Sequence, residues 1–404
     1  MIEQVFIYDN IRTPRGKART TGGLHEMPPH QLLSALLEAL PRRIDSFDAA
    51  LVSDLLVGCV TPVGDQGYNV AQAALLAAAW PDSVAAAQVN RFCASGLESI
   101  HSAAARVAAG WDNLLVAGGV ESMSRVPLGS DGGALLQDPD LMLRSASIPQ
   151  GIAADLIATS HGFSRKEVDA YALLSQQRVE QAVKDERFER AIVPIMDESG
   201  LLLLDRDEHP RPSTTLEALS QLTPAFAKTG QAGFDDIALM RYPSIAAIEH
   251  VHTAGNSSGL VDGAALSLIG SAQAGKALGL RPRARLRSIA IASSDPTMML
   301  LGLIPATERA LERAGLKMSD IDLLEVNEAF AAVPLAFMAH FGLKEDRINV
   351  NGGAIALGHP VGATGSMLLG TLVDELERQD KTLGLVTLCA GGGQGIAAIV
   401  EREA

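Results

Sequence analysis

Residues Ser53–Val60 read SDLLVGCV, and a shorter run of the same kind, IDLLEV, returns at Ile321–Val326. Both are apolar runs of strand length. The first is followed by VAAAQV at Val84–Val89 and NLLVAGG at Asn113–Gly119; the second is followed by a Val-Asn pair at Val350 and VTLCAGG at Val386–Gly392. The three pieces come in the same order at an offset of about 265 residues, which points to an internal duplication. Longer Ala- and Leu-rich segments, Asn69–Ala79 and Leu97–Ala109, lie between the early strands. Apolar strands alternating with helices imply parallel pairing through crossover helices, so the expectation is two similar α/β halves packed together.

Composition narrows the classes further. The chain has 404 residues, 47% of them hydrophobic and only 4% aromatic, enough to fill a large layered core with small side chains. A formal net charge of −14 argues against a general nucleic-acid or anionic-membrane binder. The N-terminal MIEQVFIYDN reads as a strand rather than a signal peptide, and no apolar run approaches the roughly 20 residues of a membrane span, so a cytoplasmic location is expected. Three cysteines, Cys59, Cys93 and Cys389, are widely spaced without a CxxC pair, so neither disulfides nor a metal site is expected.

The character of the chain changes in the middle. From Ser122 to Glu249 it carries more charge and more breaks: GSDGG at Gly129, a helical run Ser164–Phe188, then DRDEHPRPSTT at Asp205. Ser164 and Glu167 form a capping-box pattern, and Tyr171, Leu174 and Arg178 share a face of the helix. This segment reads as an inserted cap or loop domain.

Four places could carry chemistry. Cys93 lies in QVNRFCASGLES (Gln88–Ser99), between an apolar strand and an amphipathic helix, where the helix N-terminus favours thiolate; the alternative is a small buried hydrophobe. Cys389 ends the apolar run in LGLVTLCAGGGQG (Leu383–Gly395), and the glycines after it either expose backbone N–H groups or make a hairpin turn. His359 sits in NGGAIALGHPVGATG (Asn351–Gly365), before Pro360 and outside a helix that should run on through ATGSMLLGTLVDELE. That loop reads as a phosphate cradle, a plain turn or the housing of a neutral, proton-accepting histidine. Asn327 and Glu328, in EVNEAFAAVP (Glu325–Pro334), either point into the same cleft or cap the next helix. Duplicated α/β halves gather such sites outside the carboxyl ends of their strands, which allows Cys93, His359 and Cys389 to converge.

NRFCASG at Asn90, NEAF at Asn327, GHPVGATG at Gly358 and CAGGGQG at Cys389 together resemble the thiolases, the acyl-CoA C-acyltransferases. RTPRGK at Arg12, GGVESMS at Gly118 and TAGNSSGLVDGAA at Thr253 extend the resemblance nearly end to end. The resemblance implies a five-layered αβαβα fold of two duplicated halves. It assigns residues 1–121 plus 250–270 to the N-terminal half, 122–249 to an inserted loop domain that binds CoA and substrate, and 271–404 to the C-terminal half. It further implies that Cys93 is the nucleophile, His359 takes its proton, and Cys389 is the acid/base toward the second substrate. One oxyanion hole would be His359 with a water held by Asn327, the other the N–H groups of Cys93 and Gly391.

The same resemblance makes Arg211 a contact near the CoA adenine and phosphate and Ser258 a pantetheine contact, with Leu222, Phe226 and Phe330 lining the acyl channel. CoA is then a substrate, no further cofactor is implied, and a homodimer or homotetramer is expected. Two departures stand out. Many short-chain members carry a His-Met-Gly stretch where this chain has Pro149-Gln150-Gly151, and Ala227–Val251 makes the approach to the serine loop about twenty residues longer. The first implies a different acyl pocket; the second resembles thiolases that break down larger 3-ketoacyl-CoAs, in steroid or other lipid degradation such as β-oxidation, to acetyl-CoA and a shortened acyl-CoA. The alternatives are biosynthetic formation of acetoacetyl-CoA and a non-catalytic acyl-CoA-binding protein on the same fold. A nucleotide-dependent dehydrogenase is disfavoured because GHPVGATG does not supply GxGxxG after a first strand.

Overall fold

The repeated runs become strands with matching neighbours. The computed structural model describes residues 3–403. In chain order the strands are β1 (Phe6–Arg12), β2 (Gly16–Lys17), β3 (Asp54–Gly58), β4 (Ala85–Val89), β5 (Leu114–Glu121), β6 (Ile195–Met196), β7 (Leu202–Leu204), β8 (Val261–Gly270), β9 (Ala284–Ser293), β10 (Leu323–Val326), β11 (Leu383–Ala390) and β12 (Gln394–Arg402). Strand β3 pairs in parallel with β4 and β5, and β10 pairs in parallel with β11. Antiparallel strands then continue each set, β5 to β8 to β1 and β11 to β12 to β9. The two sets join where β1 meets β9 through Phe6–Arg285 and Ile7–Ala284.

The Val350 repeat does not form a full strand. Only a single bridge, Leu324 to Ile348, stands beside β10 where β4 stands beside β3. The cause is local: Asn349 and Gly352 have φ of 47° and 75°, so the chain turns out of the sheet into the glycine-rich loop.

Alternating burial divides the sheet faces into layers. The Ser95–Ala108 and Thr364–Arg378 helices lie in the middle: Leu97, Ile100, Leu368 and Leu372 share one core with Leu56 and Leu115 of the first set and Val386 and Ile396 of the second. The Pro29–Arg43 and Val70–Ala77 helices cover the other face of the first set. The Leu303–Ala314 and Ala332–Phe341 helices cover the second. The order is α, β, α, β, α, the five layers expected.

The middle of the chain packs onto this frame. Its long helix spans Arg165–Lys184 with both arms of the Ser164–Glu167 capping box formed. Ile152, Leu156 and Tyr171 are buried in one cluster with Phe337 and Ile355, so this region shares the outer core of the second strand set. Within Ala227–Val251 the chain makes short helical turns, and Ile237, Tyr242 and Ile245 pack against that same cluster. Its end is clamped by His250, whose ring reaches Asp155 at 2.8 Å and Asp235 at 3.0 Å. Burial opposes protonation of His250, but the two carboxylates outweigh it and raise its pKa.

The central helices begin where backbone passes very close to backbone. A Cβ on Gly119 would fall 1.9 Å from the Gly362 carbonyl oxygen, and one on Gly362 would fall 2.4 Å from that of Val120. Only glycine fits at either position. Beside this contact Glu121 is fully buried. Its Oε2 accepts from the N–H groups of Val60 (2.9 Å) and Gly362 (3.0 Å), and its Oε1 from Gln66 Nε2 (2.7 Å) and Thr61 N–H (3.2 Å). One carboxylate thus ties the end of β3 and β5 to the loop of His359. Glu121→Ala should strand these donors and lower the unfolding free energy by about 3 kcal/mol or more, measured by urea denaturation. An unchanged midpoint and slope would contradict the tether.

Candidate active site

The turn that presents Cys93 is strained and braced. Phe92 holds φ of 48°, unfavourable for a bulky residue. Its N–H donates to Asn90 Oδ1 (2.9 Å), while Ser95 Oγ accepts from Arg91 N–H (2.8 Å) and donates to the Phe92 carbonyl (2.6 Å). Cys93 emerges just before the Ser95–Ala108 helix and packs with Val60, Met123 and Val361.

The thiolate expected from the helix terminus is not the resting state. Burial pushes the Cys93 thiol up to about 11; contacts from the Gln150 side chain and the Cys93 backbone pull it down, and the Glu121 charge raises it. Desolvation outweighs the helix field because Cys93 is only 9% exposed. The thiol therefore needs a base when it reacts.

His359 lies in the loop that Gly362 brings to Glu121. Its backbone N–H donates to the Gly259 carbonyl at 2.8 Å, which fixes it to the serine loop. The helix that follows begins at Thr364, four residues beyond Pro360, and a short extra helix spans Ala354–Leu357 inside the glycine-rich stretch. The proline therefore does not occupy the first helical turn; its carbonyl instead accepts from the N–H of Thr364 at 3.0 Å.

The hydrogen bonds assign the tautomer. Thr364 Oγ1 donates to the Pro360 carbonyl at 3.0 Å, so it accepts from His359 Nδ1 at 2.6 Å. Nε2 is left as the basic nitrogen, and Asn327 Nδ2 approaches it at 3.3 Å. Burial, with the charge of Arg15 adding to it, lowers the His359 pKa to about 3. The ring is neutral, as the sequence suggested.

Asn327 is not a helix cap. The next helix begins at Ala332 behind Ala331, and Asn327 faces His359, with its Oδ1 buried and without a protein partner among the described residues. Glu328 turns away to receive Ser175 Oγ (2.7 Å), Asn349 Nδ2 (2.9 Å), Tyr171 Oη (3.1 Å) and the Ile355 N–H (3.2 Å). A side chain on Gly353 would strike this carboxylate. Glu328 thus braces the glycine-rich loop against the Arg165–Lys184 helix.

Cys389 is the penultimate residue of β11, and Gly391 follows the strand under the ring of Phe92, where a Cβ would lie 3.1 Å from Cγ. Burial raises the Cys389 thiol far above its usual range, and its nearness to Cys93 raises it further. Cys93, His359, Asn327 and Cys389 thus gather where the strands of both halves end. Cys59 is fully buried and packs in the outer core of the first half. Among the described residues no group of three or more His, Cys, Asp or Glu is poised to hold a metal ion.

Several of the expected substrate residues lie on segments that contact the NEAF and serine loops. The Ser258 N–H donates to the Ala329 carbonyl at 3.0 Å, joining the serine loop to NEAF. Phe330 meets Phe226 edge-on, ring centres 5.7 Å apart, and Phe226 lies directly over Gly151, where any side chain would collide with its ring. Leu222 packs against Gly255. Arg211 is exposed, two residues from His209, whose ring covers Gly259. Sequence patterns did not single out Thr364, Glu121, Arg15 or Gln150 as part of the site. Thr364 had a usable signal, since a hydroxyl five residues past a histidine at a helix start can reach back to it.

Comparison with known proteins agrees with this geometry. Residues 5–236 match the thiolase N-terminal domain and 280–402 the thiolase C-terminal domain. The 3-ketoacyl-CoA thiolases of Cronobacter sakazakii and Aeromonas salmonicida are each 40% identical over 407 aligned positions, covering 99% of this chain and all of theirs. The crystal structure of the Bacillus anthracis acetyl-CoA acetyltransferase superposes with a TM-score of 0.85 at 33% identity, covering all of this chain and 99% of that one. The chain belongs to the thiolase family and is an acyltransferase of the 3-ketoacyl-CoA thiolase kind.

Proposed function

We propose that the protein cleaves a 3-ketoacyl-CoA with CoA through an acyl-Cys93 intermediate. The observation that carries this reading is that the Cys93 thiol packs on Val361, two residues past His359, and lies near a second buried thiol, Cys389. His359 Nε2 takes the Cys93 proton as sulfur attacks the 3-keto carbon. The bond between C2 and C3 then breaks, the acyl group stays on sulfur, and the acetyl-CoA carbanion takes a proton from Cys389. CoA enters, gives its thiol proton to Cys389, and attacks the acyl-Cys93 thioester. The shortened acyl-CoA leaves, and Cys93 recovers its proton from His359. One thioester replaces another, so the acyl group stays activated.

Stabilisation of the developing oxyanions follows from placement. The N–H groups of Cys93 and Gly391 serve the acyl-enzyme, while His359 and a water oriented by Asn327 serve the enolate of acetyl-CoA. Such a donor is typically worth about 2.7–4 kcal/mol in the transition state. Leu222, Phe226 and Phe330 line the acyl channel, Ser258 meets the pantetheine, and Arg211 meets the adenine end. Residues 1–121 with 250–270 and 271–404 act as the two halves, and 122–249 covers the site. We further place the protein in β-oxidation-type lipid degradation, as a cytoplasmic homodimer or homotetramer. No helix among the described residues is long and apolar enough to cross a membrane.

Acetyl-CoA should add an acetyl group to Cys93 in intact-mass and peptide analysis. His359→Ala should slow this acylation by about 10²–10⁴-fold, whereas Cys389→Ala should still acylate but lose cleavage of the 3-ketoacyl-CoA. No adduct from acetyl- or longer acyl-CoAs would leave only a non-catalytic binder. A series of 3-ketoacyl-CoAs should favour chains longer than acetoacetyl-CoA; strict preference for acetoacetyl-CoA would overturn the degradative reading of the Ala227–Val251 insertion.

His359 also makes a pH prediction. With its pKa lowered to about 3, the ring is deprotonated throughout pH 5–8. Imidazole NMR should show no titration across that range, and an inflection near the ordinary value of about 6.5 would contradict the assignment.

A further inference from the structure

We propose that the His250 imidazolium, bridging Asp155 and Asp235, latches the loop of residues 226–251 shut and so positions the aromatic wall of the acyl channel. This rests on the thiolase reading and adds a positioning residue to it. The loop is closed at its neck, where the Ala225 N–H donates to the His252 carbonyl at 2.8 Å. His250 closes it a second time. Its Nδ1 lies 2.8 Å from Asp155 Oδ2 and its Nε2 lies 3.0 Å from Asp235 Oδ2. Carboxylate oxygens only accept, so both ring nitrogens donate and the ring is a cation.

The two carboxylates need that cation. Asp155 is fully buried on the Gln150–His161 helix, and Oδ1 of Asp235 is buried without a hydrogen-bond partner among the described residues. Neither pairs with a lysine or arginine among those residues; Asp235 meets His250, and Asp155 meets His250 and His252. The other charged groups on the elements around the ring are engaged elsewhere or face solvent. Arg241 reaches Asp295, His161 Nδ1 donates to the Ile157 carbonyl, and Asp236 and Glu249 are exposed.

Two routes lead from the latch to the channel wall. Asp155 Oδ1 accepts from His252 Nδ1 at 2.7 Å, and His252 Nε2 accepts from the Ala332 N–H at 3.3 Å. Held in this way, the His252 ring meets Phe330 edge-on, ring centres 5.5 Å apart. On the other side the Asp235 carboxylate lies against Gly230, where a Cβ would collide with it, and the Gly230 N–H donates to the Phe226 carbonyl at 2.9 Å. Phe226 and Phe330 pack on each other, so both rings of the wall are set by carboxylates that His250 bridges. Loss of the ring proton turns one donating nitrogen into a lone pair facing a carboxylate. Burial opposes the proton, but the two carboxylates outweigh it and raise the His250 pKa. The latch is therefore complete below that raised value and is lost as pH climbs through it.

Two variants test this in the full-length protein. Hydrogen exchange of peptides within residues 227–249, corrected for the intrinsic rate, is followed from about pH 6 to about pH 9, alongside KM for acetoacetyl-CoA and for a longer 3-ketoacyl-CoA. Wild-type exchange should rise by about tenfold or more once His250 deprotonates, with a similar rise in KM for the longer substrate only. His250→Asn keeps a donor where Nδ1 stands and none where Nε2 stands, so its loop should exchange fast at every pH. Asp235→Asn accepts from the charged ring and donates to the neutral one, so its loop should stay closed and its pH dependence vanish. A wild-type exchange profile flat in pH, a profile unchanged in Asp235→Asn, or a loop that loosens while the KM ratio holds would each overturn the proposal. If the wild type cleaves no 3-ketoacyl-CoA at any pH, the thiolase reading fails instead, while the exchange profiles still decide whether His250 latches the loop.

Discussion

The carboxylate of Glu121 is the joint on which the site depends. It stands at the end of β5, buried, and accepts N–H groups from the segment after β3 and from Gly362 beyond His359. Cys93 belongs to the first repeat; His359 and Cys389 belong to the second. This link helps set the nucleophile against its base across the seam, alongside Arg91 Nη1, which donates to Gln394 Oε1 at 2.8 Å. Burial raises the Glu121 pKa to about 7 despite four hydrogen bonds, so this link costs desolvation to maintain. Gly119 and Gly362 make it geometrically possible, because any side chain there would push the halves apart.

The same burial sets the chemistry. It raises Cys93 and Cys389 and lowers His359, so the resting pocket holds two thiols and a neutral ring rather than an ion pair. Proton transfer from Cys93 to His359 creates charge only when the reaction supplies an electrophile. A buried thiol in this state is less open to adventitious alkylation and oxidation than an exposed thiolate. Arg15, held with Arg12 by the buried Asp207, adds to the pressure that keeps His359 neutral. The N-terminal RTPRGK motif thus acts on His359 through charge.

Much of this was legible in the sequence because strand repeats and helix caps are local signals. Ser53–Val60 and Ile321–Val326 announced the duplication, and Ser164 with Glu167 announced a helix that formed with its capping box intact. The weaker Val350 signal failed where Asn349 and Gly352 redirect the chain, an effect of dihedral angles rather than hydrophobic pattern. The Cys93 thiolate failed for a different reason: a helix terminus can be read from neighbours in sequence, but desolvation depends on Val60, Met123 and Val361 from elsewhere. Glu121 was hidden because its partner Gly362 arrives only after the repeats pack, whereas Thr364 had a local signal, five residues past His359. Asn327 was ambiguous between cap and cleft until Ala331, not Asn327, proved to precede the helix.

The most direct test is a crystal structure after exposure to acetyl-CoA, with the acyl-enzyme trapped. The account places the acetyl group on Cys93 Sγ, its carbonyl oxygen toward the N–H groups of Cys93 and Gly391, and Cys389 Sγ facing the site that the second thioester will occupy. An acyl group on another residue, or a carbonyl directed away from Gly391, would contradict it.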